Sequence, residues 1–158
     1  MVFDQVNGLP VHILVLHAAV IFVPLLALGS VVYAVVARWR AKMGWAVAIL
    51  AVVAPIAAVV AKVSGTELYN RLLGQGMSGP ILEILDDHMN YGTITMWLSI
   101  ALGVVSLILV VMTGRAGARL PRVVEIGFAV VIIGLAAANC YYIFETGDSG
   151  ATAVWNPA

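Results

Sequence analysis

Four stretches of this chain stay apolar for the length a helix needs to cross a hydrocarbon core, about 20 residues for roughly 30 Å. They are about Leu9–Ala37, Trp45–Val63, His88–Thr113 and Val123–Phe144. Polar positions collect between them. "RWRAKMG" joins the first two spans and carries Arg38, Arg40 and Lys42, and "GRAGARLPR" joins the last two and carries Arg115, Arg119 and Arg122. The segment from about 64 to 87, "SGTELYNRLLGQGMSGPILEILDD", is too polar for a span and is expected to form a loop. Its end, "ILEILDDH", is apolar at a helical spacing and reads as an interfacial turn leading into the third span, with Asp86 and Asp87 as its cap. No internal repeat and no low-complexity tract is visible.

Short connections make successive helices antiparallel neighbours. The expected fold is all-α: one polytopic membrane domain over residues 1–158, with four transmembrane helices in an up-down-up-down bundle. Gly29 with Ser30, Gly103 with Ser106, and Gly127, Gly134 and Ala138 are expected to mark close helix packing. Pro24 and Pro55 fall inside spans and are expected to kink them. Tyr141 and Tyr142 read as an outer aromatic belt, and Trp39 and Trp45 as an inner one.

Composition agrees with a membrane class. Of 158 residues, 63% are hydrophobic and 10% charged, and a soluble domain of this size could not cover so much apolar surface. Eight basic residues balance eight acidic ones, so nothing suggests nucleic acid. The single cysteine, Cys140, excludes an intrachain disulfide and a thiolate cluster. No basic residue precedes Arg38, so the first apolar segment is expected to be kept as a span rather than removed as a secretory signal. Six of the eight basic residues sit in the two short connections. The positive-inside rule then puts 38–44 and 114–122 in the cytoplasm, with both termini and the 64–87 loop outside, in a multi-pass protein of the cytoplasmic (inner) membrane.

The three histidines change the picture. His12 and His17 open the first span and His88 opens the third. Counting about 20 residues outward from the inner ends puts His17 at the outer hydrocarbon edge. His12, His88 and Asp148 then fall roughly 7–9 Å beyond it, at similar height. His12 and His17 stand about 140° apart around a helix, so they border one cavity without both facing the bundle axis. Spans one and three are diagonal in such a bundle, and a histidine on each suits axial ligation of a haem, with His17 or His12 paired to His88. Three imidazoles with Asp148 suit zinc or copper instead. The plainer readings are an interfacial anchor for each histidine, an interhelical hydrogen bond for Asn139, simple packing for Cys140 and a snorkelling Lys62. On the inner side Glu125 stands alone among arginines.

"NGLPVHILVLHAAVIFVPLLALG" at 7–29, the lone histidine of "DDHMNYG" and "GDSGATAVW" at 147–155 resemble a known family over nearly the whole chain. It is the predicted four-helix membrane-protein family called domain of unknown function 2231, in its actinobacterial form. The resemblance implies that the family's first-span histidines fall on His12 and His17 and its third-span histidine on His88. Ile13 stands where the family usually has proline, and Asp148 where its tail often has histidine. Fusion of some relatives to iron–sulfur or cytochrome-like modules implies a redox setting. The expected role is therefore an integral membrane subunit of a respiratory electron-transport assembly, binding haem b, with quinol as a donor. The alternatives are a non-haem metal site at His12, His17, His88 and Asp148, and an accessory subunit without cofactor inside a larger membrane complex or homo-oligomer. No nucleophile–base pair, phosphate loop or CxxC is present, and no carboxylate chain crosses the membrane, so the chain is not expected to be an enzyme on its own.

Overall fold

The structure is a computed structural model that describes residues 5–6, 9–114 and 120–155. Arg115 and Arg119 of the second basic connection lie outside the described residues. A short antiparallel pairing of β1 (Gln5–Val6) with β2 (Leu9–Pro10) leads into α1 (Val11–Val35). A 3-10 turn at Ala37–Trp39 connects to α2 (Arg40–Gly74), followed by α3 (Pro80–Gly114) and α4 (Arg122–Trp155). All four helices are long and apolar enough to cross a membrane. They close a ring in which each contacts its two sequence neighbours, α4 also meets α1, and the diagonal pair α1 and α3 touches only slightly. The expected up-down bundle is what forms.

The helices outrun the spans read from hydropathy. At 35, 35 and 34 residues, α2, α3 and α4 are each about 50 Å long, against a core of about 30 Å. The stretch expected as a loop over 64–87 is mostly helix, and only residues 75–79 connect α2 to α3. Its charges lower its hydropathy without breaking the helix, because Leu68 and Leu72, then Ile81 and Leu85, recur at four-residue spacing and turn inward to one cavity. α2 stops where Gly76 takes φ +85°, with the Met77 amide donating to the Leu72 carbonyl and the Gly76 amide to that of Leu73. Pro80 then opens α3 as its first helical residue. Asp86 and Asp87 therefore lie inside α3 rather than capping it, and Asp86 accepts a hydrogen bond from Tyr69 of α2.

The outward surface is apolar, with Leu28, Ile56, Val130 and Phe144 all exposed, as a lipid-facing surface requires. Cys140 is exposed there too, not packed inside. Gly103 marks a close helix approach, since a Cβ on it would stand 2.5 Å from the Ala51 carbonyl oxygen. Gly127 and Gly134 do not, since nothing lies within 4 Å of theirs.

An internal repeat runs through this core. Ser30 and Ser106, 76 positions apart, hydrogen-bond to each other at 2.8 Å. Arg40 and Glu125, 85 apart, form an ion pair at 2.6 Å. Ala19, Val23, Leu26, Ala27, Ser30 and Tyr33, six of the seven buried positions described on α1, have buried counterparts at the first offset on α3, in order Thr95, Ser99, Leu102, Gly103, Ser106 and Leu109; the seventh, Ala34, answers to the partly buried Val110. Val47, Ala51 and Ala54 on α2 answer at the second offset to Ile132, Ala136 and Asn139 on α4. The hairpins α1–α2 and α3–α4 are thus two copies of one unit about an axis parallel to the helices. Residues on that axis meet their own counterparts, as the two serines do. Arg40, which also donates to the Tyr33 and Ala34 carbonyls at the end of α1, meets Glu125 in the same way, so Glu125 is paired.

Candidate functional site

His12 and His88 stand at equivalent places in the two hairpins, and each is held by its neighbouring helix in the same manner. The Nδ1 of His12 lies 3.1 Å from the Ala61 carbonyl oxygen and 3.1 Å from Ser64 Oγ on α2. The Nδ1 of His88 lies 2.9 Å from the Thr146 carbonyl oxygen and 3.2 Å from Ser149 Oγ on α4. Each serine is one turn further along its helix than the carbonyl. Ser64 donates its own hydroxyl hydrogen to the Ala61 carbonyl at 3.1 Å, and Ser149 donates to the Glu145 carbonyl at 2.7 Å. Both serine oxygens are then left as acceptors.

Only a protonated Nδ1 satisfies carbonyl and serine oxygen together. A backbone carbonyl on Nδ1–H sets the tautomer, so the neutral ring carries its lone pair on Nε2. Among the described residues neither Nε2 has a hydrogen-bond partner.

A glycine completes each clamp. A Cβ on Gly65 would stand 3.0 Å from Cε1 of His12, and one on Gly150 would stand 2.9 Å from Cε1 of His88. Any side chain at either glycine would press on the ring and shift it from its present place. Two "SG" dipeptides, Ser64-Gly65 and Ser149-Gly150, thus do the same task in the two halves.

Both imidazoles line one cavity of about 460 Å³, walled by residues of all four helices and largely apolar. Beyond the hydrocarbon length, α2, α3 and α4 supply its upper walls through residues such as Leu68, Leu72, Leu85 and Val154. Lys62 and Tyr69 add polar groups to the lining, which contains no carboxylate among the described residues. Below His88 a polar ladder descends into the core. Thr146 Oγ1 meets Thr95 Oγ1 at 3.2 Å, Ser99 Oγ meets the Thr95 carbonyl at 2.8 Å, and Ser99 meets Asn139 Oδ1 at 3.2 Å. Asn139 is fully buried, and its Nδ2 has no partner among the described residues.

The structure brings together two of the four residues singled out from sequence. His17 is exposed on α1 and Asp148 is exposed on α4, and neither lines the cavity. Among the described residues, no three His, Cys, Asp or Glu side chains gather as metal ligands would. The question of which first-span histidine faces His88 is answered geometrically: His12 shares its cavity. Sequence reasoning passed over Ser64, Gly65 and the ladder residues Thr95 and Ser99. The dipeptide "SG" at 64–65 and 149–150, each on the second helix of a hairpin whose first helix carries the histidine, was the available signal, with a third copy at 78–79 falling in the connection between α2 and α3.

The fold and site together define a four-helix integral membrane protein with a histidine-lined cavity at one end. Residues 8–158 match the model of a family described as predicted membrane protein (DUF2231), and the chain belongs to that family. No curated protein and no solved structure matches it.

Proposed function

We propose that this chain is the membrane subunit of an electron-transport assembly in the cytoplasmic membrane, and that it holds haem b between His12 and His88. The observation that carries this reading is the matched pair of imidazoles. They come from diagonal helices, each is locked with Nδ1–H on a backbone carbonyl, and each leaves an Nε2 lone pair for a shared apolar cavity. This donor set fits haem iron: His12 and His88 would hold it through Nε2, and the carbonyl bonds to Nδ1 would orient the rings and raise their basicity. When bound, the haem supplies one-electron transfer. His12 and His88 hold it, while Ala61 and Thr146 fix their rings. Leu68, Leu72 and Leu85 would keep water from it. The basic end of the bundle, with Arg38, Arg40 and Lys42, lies in the cytoplasm on this reading, which puts the cavity near the outer leaflet.

A reduced-minus-oxidised absorption spectrum of protein purified from haem-replete cells tests the proposal. A b-type α-band is expected in the wild type and in His17→Ala, and it is lost in His12→Ala and in His88→Ala. Absence of the band in the wild type overturns the reading.

A further inference from the structure

We propose that Lys62 binds an acidic group of the cavity's ligand, which makes that ligand an apolar molecule bearing a carboxylate. The proposal rests on the same cavity as the haem reading, but not on iron. Among the described lining residues Lys62 is the one ammonium, and no carboxylate of a described residue stands with it. It is half-buried, and the ion pair formed among the described residues, Arg40 with Glu125, is at the opposite end of the bundle. A lysine near the end of a membrane helix ordinarily runs its stem outward to water. Lys62 instead reaches across to α3, where Nζ donates to the Met89 carbonyl at 3.3 Å, one residue beyond His88.

An ammonium has three donors, and the Met89 carbonyl takes one. Among the described residues nothing takes the other two N–H groups, which stand at an apolar cavity wall where an uncompensated charge is costly. An anion from the ligand removes that cost. One ammonium matches the single charge of a carboxylate. The repeat sharpens the assignment, because the position equivalent to Lys62 in the second hairpin is Gly147, which offers nothing. The two clamps are alike, but the charge is on one side only. The ligand is thereby oriented, with its acidic group between α2 and α3. A haem propionate and a fatty-acid headgroup both present this chemistry.

The full chain in a neutral detergent is titrated with hemin and with hemin dimethyl ester, followed by absorbance, and separately with radiolabelled oleate and methyl oleate by equilibrium dialysis. The free acid is expected to bind at least about tenfold more tightly than its ester, the weight of one charge-assisted hydrogen bond. Lys62→Met abolishes that preference and Lys62→Arg restores it. Unchanged helical circular dichroism in both variants shows that folding is intact. Equal binding of acid and ester by the wild type overturns the proposal, and so does a preference that survives in Lys62→Met. If hemin and its ester bind equally with a b-type spectrum, the haem reading stands and the role of Lys62 falls. If oleate shows the preference and hemin does not bind, the role of Lys62 stands and the haem reading falls. Failure of every probe to bind overturns both.

Discussion

Beneath His12 the first hairpin fills the core with Ala19, Val23 and Ala54, while at the same three places beneath His88 the second hairpin carries Thr95, Ser99 and Asn139. The clamps above are alike to within a few tenths of an ångström in their Nδ1 distances. Side chains away from the clamp are free to diverge in a duplicated unit, provided that each polar one finds a partner inside the bundle, because lipid offers none. The hydroxyls of Thr95 and Ser99 meet that condition within α3 and α4. What is kept in both halves, a histidine, a carbonyl, a serine and a glycine, marks the part of the fold that the cavity depends on.

The widest difference between the halves is steric. Gly103 on α3 is the counterpart of Ala27 on α1, and both are buried. A Cβ at Gly103 would meet the Ala51 carbonyl at 2.5 Å and Pro55 Cγ at 2.9 Å, so α2 passes α3 too closely for any side chain. Backbone cannot yield as a side-chain tip can. Gly103→Ala is expected to cost about 3 kcal/mol, the largest effect predicted here, whereas Ala27→Gly costs about 1 kcal/mol. Unfolding in mixed micelles, followed by circular dichroism, measures both. A Gly103→Ala cost below that of Ala27→Gly would erase the contrast.

The clamp glycines test the likeness instead. Gly65→Ala and Gly150→Ala each press on an imidazole and shift it from its present place, because the added Cβ lies about 3 Å from the ring. The ring can swing away, so the cost is smaller, about 1–2 kcal/mol each. The two values should agree closely, and both variants should lose the b-type spectrum together. A loss in only one of them breaks the equivalence of the half-sites.

Much of the fold was legible in the sequence, because four apolar runs and two basic connections are direct consequences of crossing a bilayer. The family resemblance at the two ends of the chain was legible as well, and the family match over residues 8–158 bears it out. The repeat was not, for two physical reasons. Its connections differ in length, so the first and second helices of each hairpin recur at different offsets, 76 and 85, and no single period fits. Its core also keeps burial but not residue type, as Val23 and Ser99 show. The extent of α2 and α3 was missed because Glu67, Arg71, Glu83, Asp86 and Asp87 hide the apolar stripe of Leu68, Leu72, Ile81 and Leu85 from a hydropathy window. His12 and His17 could not be ranked from spacing alone, since the rotation of α1 is set by the packing of Val23, Leu26 and Ala27.

The smallest effect is expected at the foot of the ladder. Ser99 has one hydroxyl hydrogen for two acceptors, the Thr95 carbonyl at 2.8 Å and Asn139 Oδ1 at 3.2 Å. The shorter bond takes most of it, so the link to Asn139 is weak. The other end of the amide, Nδ2, is buried without a partner among the described residues and opposes folding. Asn139→Leu keeps the number of side-chain heavy atoms and the branch at Cγ, removes the orphaned donor and leaves Ser99 on Thr95. It also gives the second hairpin an apolar core residue where the first has Ala54. Stability in the same micelle titration is expected to change by less than about 1 kcal/mol, in line with the modest worth of side-chain hydrogen bonds inside membranes. A loss of more than about 2 kcal/mol would mean that Nδ2 holds a buried water, and the two cores would then differ in hydration as well as in residue type.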